Sequence, residues 1–102
     1  MHLEFYPSDK LKEEIKKIVG KYLDLNAYQI FFFGSRVKGD NFPCSDIDIG
    51  IEGTEEIPPE AKFKIEEELE NLPILYKIEV VDFKHVSEDF RREALKFVEY
   101  IR

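Results

Sequence analysis

Two aspartates inside an apolar run place the strongest constraint on how this chain can fold. Asp46 and Asp48 alternate with isoleucines in the run SDIDIGI, which covers residues 45–51. Successive side chains of a β-strand point to opposite faces, so a strand here puts the isoleucines on one face and Asp46, Asp48 and Gly50 on the other. The isoleucine face predicts a buried core. The acidic face predicts a functional site, because neighbouring carboxylates repel each other and partial burial strengthens that repulsion.

Length, charge and cysteine content limit the classes of protein to which the chain can belong. Its 102 residues, 43% of them hydrophobic, predict a single domain covering residues 1–102 with one modest core. The net charge of -7 disfavours direct binding to the phosphate backbone of nucleic acids. The single cysteine, Cys44, allows no internal disulfide. The sequence shows neither a signal peptide nor an apolar stretch that could span a bilayer, so we expect a cytoplasmic protein with no membrane partner.

The remaining segments predict three helices and two further strands around this one. Apolar positions recur at helical spacing after Pro7, between Pro58-Pro59 and Pro73, and from Ser87 to Ile101. The runs YQIFFF (residues 28–33) and ILYKIEVVDF (residues 74–83) have the composition of strands. The order α-β-β-α-β-α predicts an α/β (α+β) fold, a small mixed β-sheet flanked by helices.

The acidic strand and the turn before it have the chemistry of a magnesium and phosphate site. Magnesium takes hard oxygen ligands, often one or two carboxylates together with substrate phosphates and water. Gly50 is expected to leave space on the same face as Asp46 and Asp48. Gly34 and Ser35 follow the strand at residues 28–33, where a sharp glycine turn and free N–H groups can hold phosphate. A solvated strand face that happens to carry aspartates is the alternative interpretation.

Other motifs with similar residues fit less well. GSRVKGDN has the two glycines of a P-loop, but Asp40 and Asn41 stand where Lys and Ser/Thr are required. DIDIG begins like a calcium-binding loop, yet its glycine is misplaced and no glutamate closes the loop. Aspartyl-phosphate phosphatases also carry an Asp-x-Asp strand, but no partner motif of theirs is found in this chain.

The run from Gly34 to Asp48 resembles the signature of the minimal nucleotidyltransferase family of the polymerase-β-like nucleotidyltransferase superfamily. It reads Gly-Ser, ten further residues, then Asp-x-Asp. Additional matches to the family pattern G-S-R-x-x-G-[DE]…S-D-x-D are Arg36, Gly39, Asp40 and Ser45. The resemblance implies a nucleotidyltransferase-like sheet with its site at the strand ends, and transfer of a nucleoside monophosphate from an NTP with release of pyrophosphate.

The resemblance also implies roles for individual residues. Asp46 and Asp48 would bind Mg²⁺, Gly34 and Ser35 would contact the triphosphate, and Arg36 would add positive charge near it, as would Lys38. The family carries a third carboxylate, commonly an aspartate, on the following strand. Here the matching position holds Glu79, which is longer by one methylene.

Strand parity separates Glu79 from the other acidic candidate, Asp82. The two are three residues apart, so in a regular strand they face opposite ways. Asp82 shares its face with the apolar Ile78 and Val80, which leaves Glu79 to face the open site, whereas Asp82 is expected to be solvated or to cap the turn before Lys84. A β-bulge would invert this assignment. We therefore predict catalytic and metal-binding roles for Asp46, Asp48 and Glu79.

Two functions of different classes follow. The first is an enzyme that transfers AMP from ATP to a hydroxyl. The resemblance implies that the acceptor is a tyrosine of a separately encoded helical HEPN-type toxin, and that the chain acts as its antitoxin. The second is a non-catalytic subunit that neutralises such a partner by contact alone. The intact Asp46 and Asp48 favour the enzyme, and the departure at Glu79 keeps the binding subunit open.

Overall fold

The computed structural model describes residues 3, 6–34, 37 and 46–102, and in these it shows a mixed β-sheet packed against helices. The helices are α1 (Ser8–Tyr22), α2 (Pro59–Glu70) and α3 (Glu88–Ala94). The strands are β1 (Tyr28–Phe33), β2 (Ile47–Gly53), β3 (Ile78–Asp82) and β4 (Val98–Ile101). The expected fold class is confirmed. The sequence predictions for Ser35, Arg36, Lys38 and Cys44 lie outside the described residues.

The sheet combines parallel and antiparallel neighbours. Its strand order is β3-β2-β1-β4, with β1 antiparallel to both of its neighbours and β2 parallel to β3. Parallel neighbours need a long crossover, which α2 supplies between β2 and β3. Because β1 runs antiparallel to β2, and β2 runs parallel to β3, the last residues of β1 lie beside the first residues of β2 and β3 at one end of the sheet.

Helices α1 and α2 cover one face of the sheet and form the main core with it. The three isoleucines of β2 are fully buried there, as the alternation predicted, and each such side chain contributes roughly 1.5–3 kcal/mol on burial. The helices are also joined to each other, because Lys21 Nζ donates a hydrogen bond of 2.6 Å to Glu68 Oε1. Other members of this core are Leu11, Ile15, Val19, Ile30, Phe32, Ile65, Leu69, Val80 and Ile101.

A smaller aromatic cluster occupies the opposite face, where the acidic residues of β2 also lie. Phe31, Phe33 and Phe83 are buried in it, with the ring centroid of Phe83 at 4.8 Å from that of Phe31 and 5.2 Å from that of Phe33. A Cβ at Gly50 would lie 2.4 Å from Cε2 of Phe31 and 2.7 Å from Cε1 of Phe83. The expectation that Gly50 leaves space beside the aspartates is therefore wrong, since aromatic rings fill that space.

The C-terminal segment differs from the prediction. The helix begins after Ser87, whose hydroxyl accepts a hydrogen bond of 3.1 Å from the Phe90 N–H, but it ends at Ala94 and β4 follows. The expected helix through Ile101, with Phe90 and Phe97 on its buried face, is wrong. Phe90 and Phe97 are 43% and 45% exposed, respectively. Within the described residues, no helix has both the length and the apolar character needed to cross a membrane.

Candidate active site

One acidic residue of β2 and one of β3 lie side by side at the end of the sheet where β1 ends. Asp48 pairs across the sheet with Phe33, the last residue of β1, and on its other side with Glu79 of β3. Directly opposed residues of neighbouring strands project from the same face, so Asp48 and Glu79 lie side by side. Asp46 is exposed and immediately precedes β2. Asp48 and Glu79 are therefore neighbours, and Asp46 is near enough for its negative charge to act on the Asp48 carboxyl.

Asp48 has the most unfavourable environment of these carboxylates. It is partly buried, and this burial is the main reason why the pKa of its carboxyl is raised above the ordinary value. The negative charges of Glu79 and Asp46 raise the pKa further. No hydrogen bond from another described residue reaches its side chain. The folded chain therefore holds a charge that a cation or a proton would stabilise.

Gly34 brings the backbone against this carboxylate. Its φ of +88° lies in the left-handed region, which glycine adopts without strain. A Cβ at this position would lie 2.6 Å from Oδ2 of Asp48. The sequence predicted a sharp turn at Gly34 but not this close approach, which becomes visible only when Phe33 is paired with Asp48.

Lys77 is a charged neighbour of the site, and strand alternation places it on the same face as Glu79. Its Nζ lies 3.5 Å from Oε1 of Glu79, and both side chains are well exposed. Its carbonyl accepts a hydrogen bond of 2.8 Å from the Ile47 N–H, which fixes the beginning of β3 beside that of β2. The signal in the sequence was its i, i+2 spacing to Glu79, which puts both on one strand face.

Asp82 lies away from these carboxylates and has a structural environment. It faces the core side of β3, as the alternation predicted, and only 9% of the residue is exposed. Oδ2 accepts a hydrogen bond of 2.9 Å from the Ile57 N–H, and Oδ1 accepts one of 2.9 Å from the Lys84 N–H. The expected cap on the turn before Lys84 is therefore present, but the alternative of a solvated side chain is wrong.

The chemistry of the donors fits a hard divalent cation that is only partly coordinated by protein. Carboxylate oxygens are the ligands that magnesium prefers, and the raised pKa of Asp48 indicates a negative charge in need of compensation. In the part of the chain that the structure describes, no three His, Cys, Asp or Glu side chains lie close enough together to form a complete metal site. Such an ion would therefore take further ligands from substrate phosphates and water.

Sequence comparison defines the class of protein to which this fold and site correspond. Residues 13–101 match the family described as polymerase beta, nucleotidyltransferase. The match covers most of the chain, so the chain belongs to this family.

Among individual proteins, the chain is similar to the probable protein adenylyltransferase MntA of Haemophilus influenzae. The two are 33% identical over 64 residues, which cover 63% of this chain and 56% of that protein. The chain therefore spans little more than half the length of this curated relative.

Solved structures share the fold. A chain of a toxin–antitoxin complex with AMP-PNP superposes with a TM-score of 0.72 at 19% identity, covering 89% of this chain and 72% of that one. A chain of a complex described as a tri-AMPylated Shewanella oneidensis HEPN toxin with MNT antitoxin gives a TM-score of 0.68 at 17% identity, covering 92% and 71%, respectively. At these identities the likeness establishes the fold.

Proposed function

We propose that this chain, acting as one nucleotidyltransferase domain, is a magnesium-dependent adenylyltransferase that moves AMP from ATP to a hydroxyl of a protein partner. The observation that carries the proposal is the pairing of Asp48 with Glu79 across β2 and β3, with Gly34 against the Asp48 carboxylate, in a chain of the nucleotidyltransferase family. A half-buried carboxylate repelled by its neighbours is poorly suited to a purely structural role.

The residues divide into metal-binding and phosphate-binding groups. Asp46, Asp48 and Glu79 would hold Mg²⁺ together with triphosphate oxygens, and the turn at Gly34 and Ser35, with Arg36, would hold the triphosphate. Bound magnesium would neutralise phosphate charge and align the reacting oxygens. Because phosphoryl transfer needs mainly alignment and charge neutralisation, few protein groups are required.

The transfer itself is a single displacement at the α-phosphorus. The acceptor oxygen forms a bond to the α-phosphorus, and the bond from that phosphorus to the oxygen bridging it to the β-phosphate breaks. Pyrophosphate leaves with the electron pair of the broken bond. Glu79, as general base, would take the proton of the acceptor hydroxyl through a carboxylate oxygen that does not bind the metal.

The acceptor that we propose is a tyrosine of a HEPN-type helical partner in the cytoplasm, with the chain acting as antitoxin. Support comes from the similarity to a probable protein adenylyltransferase and from the shared fold with a chain of the complex that contains an AMPylated HEPN toxin. The acidic chain, with its net charge of -7, is poorly suited to bind nucleic acid directly.

A subunit that neutralises its partner by contact alone remains the second candidate. It is favoured by the departure at Glu79, which is longer by one methylene than the aspartate that the family commonly carries there. Incubation with labelled ATP, magnesium and a HEPN-type protein separates the two functions. Label on the partner supports the enzyme, and a stable complex without label supports the binding subunit.

The decisive variant is Glu79→Gln. We expect it to reduce transfer at least about 100-fold, because general bases contribute about 10²- to 10⁴-fold to rates. The control on the same strand is Asp82→Asn, whose side chain faces the opposite way, assayed well below its unfolding temperature with circular dichroism as a check of folding. Loss of transfer in Asp82→Asn with normal rates in Glu79→Gln would overturn the assignment.

A further inference from the structure

Strand β3 forms an edge of the sheet, and among the described residues no strand pairs with the outer side of its backbone. The Lys77 carbonyl bonds to Ile47 and the Phe83 N–H bonds to the Ile51 carbonyl, so these odd-numbered positions face β2. Backbone groups alternate in direction along a strand, and those of Ile78 and Val80 therefore point outward. An edge of this kind can accept another strand.

A groove runs along this edge between β3 and α2. Its volume is about 450 Å³, and its floor includes Leu69 and Val80, which are almost fully buried. Ile78 and Val81, which line the same groove and are partly exposed, offer apolar contacts to an added strand. Glu79, the proposed base, lines the same groove, so the groove is continuous with the candidate active site.

The groove is acidic. Three acidic residues line it, Glu66, Glu70 and Glu79, against one basic residue, Lys77. Lys62 also pairs with Glu66 at 3.2 Å, and Lys77 with Glu79 at 3.5 Å. Glu70 has no ion-pair partner among the residues that the structure describes. This charge favours a basic occupant and repels a second copy of a chain whose net charge is -7.

We propose that an extended, basic segment of the partner protein adds to the sheet at β3 and presents its acceptor tyrosine beside Glu79. This inference rests on the proposed function and specifies how the acceptor is held. An added residue opposite Glu79 would project from the same face as the site carboxylates. Strands lie about 4.8 Å apart, so the added strand would be about 9.6 Å from β2, a distance that suits the long tyrosine side chain better than serine.

The other edge of the sheet is a poorer candidate. A strand added to β4 would be separated from Asp48 by both β4 and β1, one strand more than on the β3 side. The groove near β4 lies toward Tyr28, at the end of β1 opposite to Gly34, and is lined by the basic Lys16 and Arg102. Neither its position nor its charge fits a segment that must reach the acidic site.

In the first test, the peptide Lys-Thr-Val-Tyr-Val-Thr-Lys, with both termini blocked, is added to the 102-residue chain without ATP or metal. NMR spectra are recorded at peptide concentrations up to the millimolar range. We expect shifts of the Ile78 and Val80 amide signals and slower hydrogen exchange at both. Saturable binding that leaves both amides unchanged, or no binding at all, would overturn the proposal. Spectral changes that depend on protein concentration without peptide would show self-association of the edge instead.

Backbone methylation of the peptide distinguishes strand addition from other binding in the groove. Two peptides carry N-methyl groups on alternate amides, one on odd and one on even positions. An added strand directs only one of these sets toward β3, so one peptide should bind at least about tenfold more weakly than the other, from the loss of hydrogen bonds worth about 1 kcal/mol each. Equal affinities of the two peptides would contradict strand addition.

A matched pair of charge reversals on α2 tests the acidic groove. Glu70→Lys changes a carboxylate that lines the groove, whereas Glu67→Lys makes the same change on the same helix at a residue outside it. We expect Glu70→Lys to weaken peptide binding about three- to tenfold and Glu67→Lys to leave it almost unchanged. Equal effects of both variants would refute the groove as the binding surface. Because no ATP is present, these results are independent of whether the chain transfers AMP.

Discussion

At the scale of single residues, Asp48 carries the largest electrostatic conflict in the candidate site. Its partial burial and the charges of Glu79 and Asp46 all raise its pKa. Among the described residues no cation contacts it, and Lys77 pairs with Glu79 instead. The same arrangement that weakens the metal-free fold creates a favourable position for a divalent cation.

Asp48→Asn should stabilise the metal-free protein at neutral pH or leave its stability unchanged. An unfolded aspartate has a pKa of about 3.9, and the folded value is higher, so the unfavourable contribution of Asp48 is absent below the unfolded pKa. It grows as the pH rises through the folded pKa and stays constant above. Urea unfolding from pH 3 to pH 8 in EDTA checks this, with Asp89→Asn as the exposed control. A variant that is less stable than the wild type at pH 7 would contradict the expectation.

Much of the site follows from strand alternation, and the rest depends on contacts across the sheet. The opposite faces of Glu79 and Asp82 could be predicted because a strand has a strict period of two. The crowding at Gly50 could not, since it comes from rings on β1 and after β3. The contact of Gly34 with Asp48 likewise requires the pairing of two strands to be known.

At the scale of elements, the C-terminal segment shows why periodicity can mislead. The apolar residues of this segment have helical spacing, but two of them, Val98 and Ile101, belong to β4. The full set is Phe90, Ala94, Phe97, Val98 and Ile101. A run of four strand residues is too short to reveal alternation by itself. Pairing with β1 decides the matter, because Val98 opposes Phe33 and Ile101 opposes Ile30.

At the end of β3, the Asp82 carboxylate accepts hydrogen bonds from the segment between β2 and α2 and from the turn after β3. Removing this side chain should destabilise the fold without altering the chemistry of transfer. Asp82→Ala leaves the Ile57 and Lys84 N–H groups without their acceptor, which we expect to cost about 2–4 kcal/mol. Chemical denaturation measures this, and Asp89→Ala, at a side chain that is 90% exposed, is the control. An Asp82→Ala protein as stable as the wild type would show that these hydrogen bonds contribute little.

At the scale of the whole molecule, the net charge of -7 governs how a nucleotide can bind. ATP is itself strongly anionic, and the described part of its candidate site is dominated by carboxylates. The candidate site lies where β1 ends and where β2 and β3 begin, so a divalent cation is the natural link between its carboxylates and a triphosphate.

ATP should therefore bind at least about tenfold more tightly with magnesium than in EDTA, because the ion joins the carboxylates to the phosphate oxygens. Isothermal titration calorimetry with both solutions measures the difference. In Asp48→Asn the dependence on magnesium should be much smaller. Equal affinity of the wild-type protein in both solutions would count against the proposed metal role.

Strand β2 alternates fully buried isoleucines with Asp48, Gly50 and Glu52. If the chain mispaired this strand by a single residue during folding, the carboxylates would be driven into the main core and the isoleucines exposed to water. Desolvating unpaired charges costs far more than a small packing error, so the misfolded alternative would be strongly disfavoured. Asp48, which we propose to bind the metal, therefore also favours the correct register of β2 during folding.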